Sequence, residues 1–169
     1  MRHLIIDGYN VIRQTNPYLS LAERDDFELA CEALVSDVAS YVDPSRRVTV
    51  VFDGTGNPFS TGEPKKIAGV TVIYSAYGVV ADSVIEKIAR TERDRGVEVE
   101  VVTSDAQLQW TVMGQTVTRT SSREFADQLH TGHDEFKEAS ATSMKKVTLA
   151  QRISPEAAEM LRKIRDGEE

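Results

Sequence analysis

His3-Leu4-Ile5-Ile6 runs without a gap into Asp7-Gly8-Tyr9-Asn10. The apolar run reads as a short buried strand, so the carboxylate and the amide stand at its carboxyl end. Open α/β sheets place their ligand sites there, because helices cover the faces and leave a crevice beyond the strand ends. The device recurs twice. Val48-Thr49-Val50-Val51-Phe52 ends in Asp53, and Val99-Glu100-Val101-Val102-Thr103-Ser104 ends in Asp105. Three strand-terminal aspartates facing one crevice repel one another unless a cation neutralises them, which is the electrostatic logic of a hard-metal site.

The segments around these strands alternate in type. Leu19 to Tyr41 carries apolar residues at helical spacing, with Ser20 placed to cap its start, and reads as the first crossover helix. Asp43-Pro44-Ser45 breaks the chain before the second strand, and Gly54 to Pro64 is an irregular loop directly after the second acid. Val70 to Tyr74 is a further strand, and Ala81 to Arg93 a helix with Val84, Ile85, Ile88 and Ala89 on one stripe. Beyond Asp105 the pattern gives a short helix over Ala106 to Met113, an edge strand at Thr116 to Thr118, and a helix over Ser121 to Glu138 opened by a capping box. Ala139 to Thr142 reads as a mobile connection, and Ser154-Pro155-Glu156 starts a last helix through Ile164. This alternation predicts an α/β fold, a central and mainly parallel twisted sheet with helices on both faces.

Composition narrows the classes. The chain has 169 residues and a net charge of -7, in the usual range for one domain, with no repeat and no sign of a second unit. No apolar run approaches the roughly 20 residues of a membrane helix, no secretory signal is visible at the N-terminus, and a cytoplasmic location is expected. The single cysteine, Cys31, lies among apolar helical neighbours and reads as a core residue. An acidic chain does not grip nucleic acid with its whole surface, so any such binding needs local basic patches.

Asp82, at the start of the helix after the Val70 strand, adds a fourth acid, and Glu86 follows on the same helix face. Asp7, Asp53, Asp82 and Asp105 form a set suited to one or two Mg²⁺ or Mn²⁺ ions, which prefer oxygen ligands, and such ions suit phosphodiester hydrolysis. Each residue also has a plainer reading. A lone Asp after a strand is a turn former or a helix cap, Asn10 can bond its own backbone, and Glu86 can pair with Arg90 at helical spacing. Other chemistries fail on inspection. Gly54-Thr55-Gly56-Asn57 lacks the lysine of a phosphate loop, His130 and His133 lack a third zinc ligand, and Ser104 does not sit in a nucleophile elbow. A phosphoacceptor signalling domain would need paired acids at the first strand and a lysine ending a later one, and neither is present.

Leu4-Ile5-Ile6-Asp7-Gly8-Tyr9-Asn10-Val11-Ile12, Val50-Val51-Phe52-Asp53-Gly54, Ala81-Asp82-Ser83-Val84-Ile85-Glu86-Lys87 and Thr103-Ser104-Asp105-Ala106-Gln107-Leu108-Gln109-Trp110 resemble the four signature segments of the NYN domain in its YacP-like branch. Gly114-Gln115, Arg119, Ser122-Arg123-Glu124 and the closing helix extend the resemblance over nearly the whole chain. It implies a PIN-like three-layer sandwich, one nuclease domain over 1–169 with a helical extension from about 121 to 169. It implies metal-dependent endonucleolytic cleavage of single-stranded RNA, with mRNA as substrate and the ribosome as partner. The family's acidic site falls on Asp7, Asp53, Asp82 and Asp105, with Asn10 and Ser104 as polar helpers; Asn10 joins the acids as a candidate catalytic residue, and Glu86, from its place on the Asp82 helix face, is a candidate helper. The stretch from Asp134 to Arg152 is less basic than that branch leads one to expect. A catalytically silent RNA- or ribosome-binding module of the same fold is the alternative.

Lys65 and Lys66, expected on the loop after Asp53, and Arg119 and Arg123, flanking the last strand, are the candidate RNA contacts. Lys145 and Lys146 are weaker ones. Tyr9, Tyr77 and Trp110 are candidates to stack on bases, although Trp110 sits in an apolar helical context that suits the core.

Overall fold

The computed structural model describes residues 1–24, 26–112, 114, 116–140 and 154–167; for Trp110 and 133–140 it describes the backbone only. The strands are β1 (Arg2–Asp7), β2 (Arg46–Phe52), β3 (Lys65–Ile67), β4 (Val70–Tyr74), β5 (Glu98–Val102) and β6 (Val117–Thr120). They form one six-stranded sheet in the order β3-β4-β2-β1-β5-β6. Every neighbouring pair is parallel except β3 with β4. The helices are α1 (Gly8–Gln14), α2 (Tyr18–Glu23), α3 (Phe27–Tyr41), α4 (Ala81–Asp94), α5 (Ala106–Val112), α6 (Ser122–Ser140) and α7 (Pro155–Asp166).

Strand alternation sorts the core into two layers. Leu4 and Ile6 of β1, Val48, Val50 and Phe52 of β2, and Val70, Val72 and Tyr74 of β4 face one side, where residues of α1, α2, α3, α6 and α7 cover them. Ile5, Val51, Val99 and Val101 face the other, under Ala81, Ile85 and Ala89 of α4 and Leu108 and Val112 of α5. The result is the three-layer α/β sandwich expected from the sequence. Phe125 and Leu129 of α6 and Leu161 and Ile164 of α7 belong to the same buried cluster as α3. The chain builds outward from β1 to β2 and β4, then crosses back to β5 on the far side. Asp7 and Asp105 therefore flank the point where strand order reverses, the place where such sheets bind ligands.

Several local expectations are corrected. The single crossover helix over Leu19 to Tyr41 is two helices, because the Asp26 carboxylate accepts from the Leu29 N–H at 3.2 Å and caps α3. Ser20 instead donates to the Asn16 side chain at 2.7 Å, inside α2. A helix not expected from the sequence, α1, follows β1 at once. Lys65 and Lys66 lie on a strand rather than in a loop: β3 turns into β4 through Ala68 and Gly69 alone, both with positive φ (50° and 86°), the signature of a type I′ hairpin. The expected mobile connection from Ala139 begins inside α6, which runs to Ser140, and its remainder lies outside the described residues. So do Lys145, Lys146 and most of the stretch from Asp134 to Arg152. Among the described residues no helix is long and apolar enough to cross a membrane.

Candidate active site

Asp7, Asp53, Asp82 and Asp105 line one crevice of about 370 Å³ together with Tyr9, Asn10, Arg13, Gln14 and Ala81. The plainer reading of these acids holds for three of them, whose carboxylates accept from N–H groups at helix starts. Asp7 accepts from the Asn10 N–H at 3.4 Å and caps α1, while its other oxygen accepts from the Thr103 hydroxyl at 3.3 Å. Asp105 accepts from the N–H groups of Gln107 (2.8 Å) and Leu108 (3.3 Å) at the start of α5. Val80 begins α4 with no side-chain cap, and Asp53 stands in for one, accepting from the Ala81 N–H at 3.5 Å and from the Thr55 N–H at 2.8 Å. Asp82 lies in the first turn of α4, where a negative charge meets the positive end of the helix dipole. Helix starts and strand ends coincide here, so one residue type meets both demands.

The acids perturb one another. Burial pushes the Asp7 carboxyl up to about 6, and the charges of Asp82 and Asp105 add to the rise, against donations from Asn10 and Thr103. Asp82 is raised as well, by burial first and then by Asp105 and Asp53. Asp53 goes the other way. Burial would raise it, but donations from Thr55 and Ala81 and the charge of Arg13 outweigh burial and hold it below the usual range. The four-acid field thus favours a positive charge. All four donors are carboxylate oxygens, the set that a hard divalent cation prefers. Among the described residues no three His, Cys, Asp or Glu side chains are already gathered closely enough to grip an ion.

Asn10 ties three segments together. Its side-chain oxygen accepts from the Ser104 N–H at 2.9 Å and from the Ser122 hydroxyl at 2.5 Å, and the Ser104 hydroxyl accepts from the Ser122 N–H at 3.0 Å. Asn10 and Ser104 therefore hold α1, the β5–α5 turn and the start of α6 in fixed relation around the acids. Ser122, fully buried, completes this bridge; the sequence marks it only as part of the family resemblance, not as a site residue. Glu86 does not line the crevice; it pairs with Arg90 at 3.0 Å, one turn along α4.

Arg13 and Gln14 are the residues that sequence reading missed. They line the crevice from α1, and Arg13 also lies over the Tyr9 ring, 5.7 Å from its centroid. The signal was present: once Asp7 is read as a cap, Asn10, Arg13 and Gln14 fall on one helix face at i, i+3 and i+4. Tyr9 packs between Phe27 and Phe52, with centroids 4.7 and 5.3 Å away, so its ring is committed to the core on one side. Tyr77 is exposed on the loop before α4.

The four candidate RNA-binding cations separate. Arg119 of β6 donates to the Thr103 carbonyl at 3.5 Å, two residues from Asp105. Arg123 lines a shallow depression with Tyr41, Ser121, Glu124 and Asp127. Lys65 pairs with Glu63 at 3.6 Å. Lys66 is opposite Thr71, near the amino end of β4, so it sits toward the pole of the sheet away from the acids.

Comparison with known proteins agrees with this architecture. The model of the YacP-like NYN domain matches residues 4–166. The protein named "Uncharacterized protein YacP" of Bacillus subtilis (strain 168) is 34% identical over 131 residues, which span 76% of this chain and 75% of that protein. The crystal structure of a mutant form of Rae1 (YacP) from Bacillus subtilis superposes with a TM-score of 0.68 at 28% identity, covering 95% of this chain and 98% of that one. A second crystal structure of Rae1 (YacP) also gives 0.68, at 30% identity, over 84% of this chain and 81% of that one. From its first buried strand to its last helix, this chain belongs to the YacP-like NYN domain family.

Proposed function

We propose that the chain is a metal-dependent endoribonuclease that hydrolyses single-stranded RNA in the crevice lined by Asp7, Asp53, Asp82 and Asp105. The observation that carries this reading is the delivery of four carboxylates, from three strand ends and one helix start, to one crevice at the reversal of strand order. Membership of the NYN family, whose domains are PIN-like nucleases, supports it. The four aspartates would hold Mg²⁺ or Mn²⁺, which when bound polarises a phosphoryl oxygen and makes an attacking water more acidic. Arg13, a cation on the same crevice wall, is placed to hold an RNA phosphate by a charge-assisted hydrogen bond. Asn10, Ser104 and Ser122 keep the walls in register. The family resemblance extends the reading to mRNA as substrate and the ribosome as partner.

The test is incubation with a circular single-stranded RNA, with Mn²⁺ or with a chelator. Linear and shorter products are expected only with the ion, and are expected to vanish in Asp105→Asn. Binding without cutting at any ion concentration would favour the silent RNA-binding module, and cutting in chelator would exclude a metal mechanism.

A further inference from the structure

The amino pole of the sheet carries a second concave surface. A cavity of about 510 Å³ there has Val42, Pro44, Arg46, Arg47, Lys66 and Val70 in its lining. Its cations are the Arg46, Arg47 and Lys66 side chains, and no acid among the described residues lines it, in a chain whose net charge is -7. Arg47 is neutralised, with 3.1 Å contacts to the buried Glu92. Asp43, on the adjoining turn, feels the charge of Arg46, but its carboxylate accepts from the Ser45 N–H at 2.7 Å. Strand alternation separates Lys65, which pairs with Glu63, from Lys66, which has no ion pair among the described residues. Among those residues Arg46 has none either. Two unpaired cations over an apolar floor of Val42, Pro44 and Val70 make a surface complementary to a phosphate chain that also carries flat, partly apolar bases.

We infer that this basic pole is a second RNA-binding surface, taking the phosphodiester backbone of a single strand outside the segment held at the acids. The inference rests on the endoribonuclease reading for its choice of polyanion. β1 joins the two poles, and its six residues at roughly 3.3 Å each set them about 20 Å apart. Only RNA longer than the portion in the crevice reaches both.

Binding is measured by fluorescence anisotropy in chelator, so that no cutting occurs, with a uridine trinucleotide and a twenty-nucleotide oligouridylate as probes across a salt series. The variants are Arg46→Ala/Lys66→Ala and a control that removes two exposed cations elsewhere, Arg24→Ala/Lys87→Ala. For the long probe the log–log salt slope is expected to flatten by about 1.4 in the pole variant, roughly 0.7 per lost phosphate contact, and much less in the control. The native protein should show a steeper slope for the long probe than for the short one. Equal slopes in the native protein and the pole variant, or equal losses in the control, would overturn the inference. So would competition by polyglutamate as effective as that by RNA of the same charge, which would make the partner an acidic protein. Cleavage of circular RNA with Mn²⁺ is read separately. A protein that binds long RNA through the pole but never cuts refutes the catalytic reading alone, and one that cuts with an unchanged slope refutes the pole alone.

Discussion

Asp7 shows how one residue meets a folding demand and a chemical one. It is 7% exposed, caps α1, and has its carboxyl pushed up to about 6 by burial and by Asp82. Between about pH 4 and about pH 6 the folded chain therefore binds a proton at Asp7 that the unfolded chain has released, and folding stability falls as pH rises through that window. Above it the penalty is constant. Asp7→Asn keeps one oxygen to accept from the Asn10 N–H, places an amide NH2 against the Thr103 hydroxyl, which can turn to accept from it, and removes the charge. Its metal-free stability should exceed that of the native protein by on the order of 2 kcal/mol at about pH 7, and the gap should close toward about pH 4. Urea denaturation at several pH values in chelator checks this. A gap that does not change with pH would mean that the carboxylate is not destabilised where it sits. Cleavage by Asp7→Asn should be lost despite the added stability. Arg13→Ala should raise KM about tenfold, the worth of one hydrogen bond to a charged group, with Arg13→Lys restoring part of the loss, as steady-state kinetics would show. The four acids were legible because each follows an apolar run or opens a helix. Arg13 was not, because the helix that aims it was not recognised.

At the scale of elements, the loop after Asp53 depends on Gly54. A Cβ there would lie 2.0 Å from the Ser75 carbonyl oxygen and 2.5 Å from the Ser60 hydroxyl, and the Gly54 N–H donates to the Ser75 hydroxyl at 2.8 Å. Gly54→Ala has to push two strand ends apart, and should cost about 3 kcal/mol and displace Asp53 from the crevice. Gly56→Ala, with nothing within 4 Å of its Cβ, should be close to neutral. Thermal denaturation and cleavage assays of the pair separate packing from a general intolerance of the loop. The closing helix is tied in from the same loop, since the Asn57 amide donates to the Arg165 carbonyl and Leu161 is 3% exposed in the main core. Leu161→Ala should then lower global stability by about 2–4 kcal/mol rather than release a separate extension, as a single shifted denaturation transition would show. Periodicity revealed the long elements of this fold. It missed α1, which is only 7 residues long, and β3, which has 3, because patterns that short carry no period. It merged α2 with α3 because apolar spacing continues across a break that only the Asp26 cap reveals.

At the scale of the molecule, four acids gather where the parallel strands end, and Arg46 and Lys66, which have no ion pair among the described residues, lie where they begin, an arrangement invisible to a net charge of -7. The mainly parallel sheet and both helical layers followed from the alternation of strand and helix, whereas Lys66 was misplaced because the hairpin that turns it to the far pole rests on Ala68, a residue with no turn signature. As proposed above, the four aspartates form one cation site. An ion bound only by the folded state raises its melting temperature by mass action. The most direct measurement is therefore a thermal denaturation series with rising Mn²⁺ for the native protein and for Asp7→Asn/Asp105→Asn. The melting temperature should climb with ion concentration in the native protein and stay flat in the double variant; equal climbs in both, or none in the native protein, would mean that the aspartates do not form a cation site.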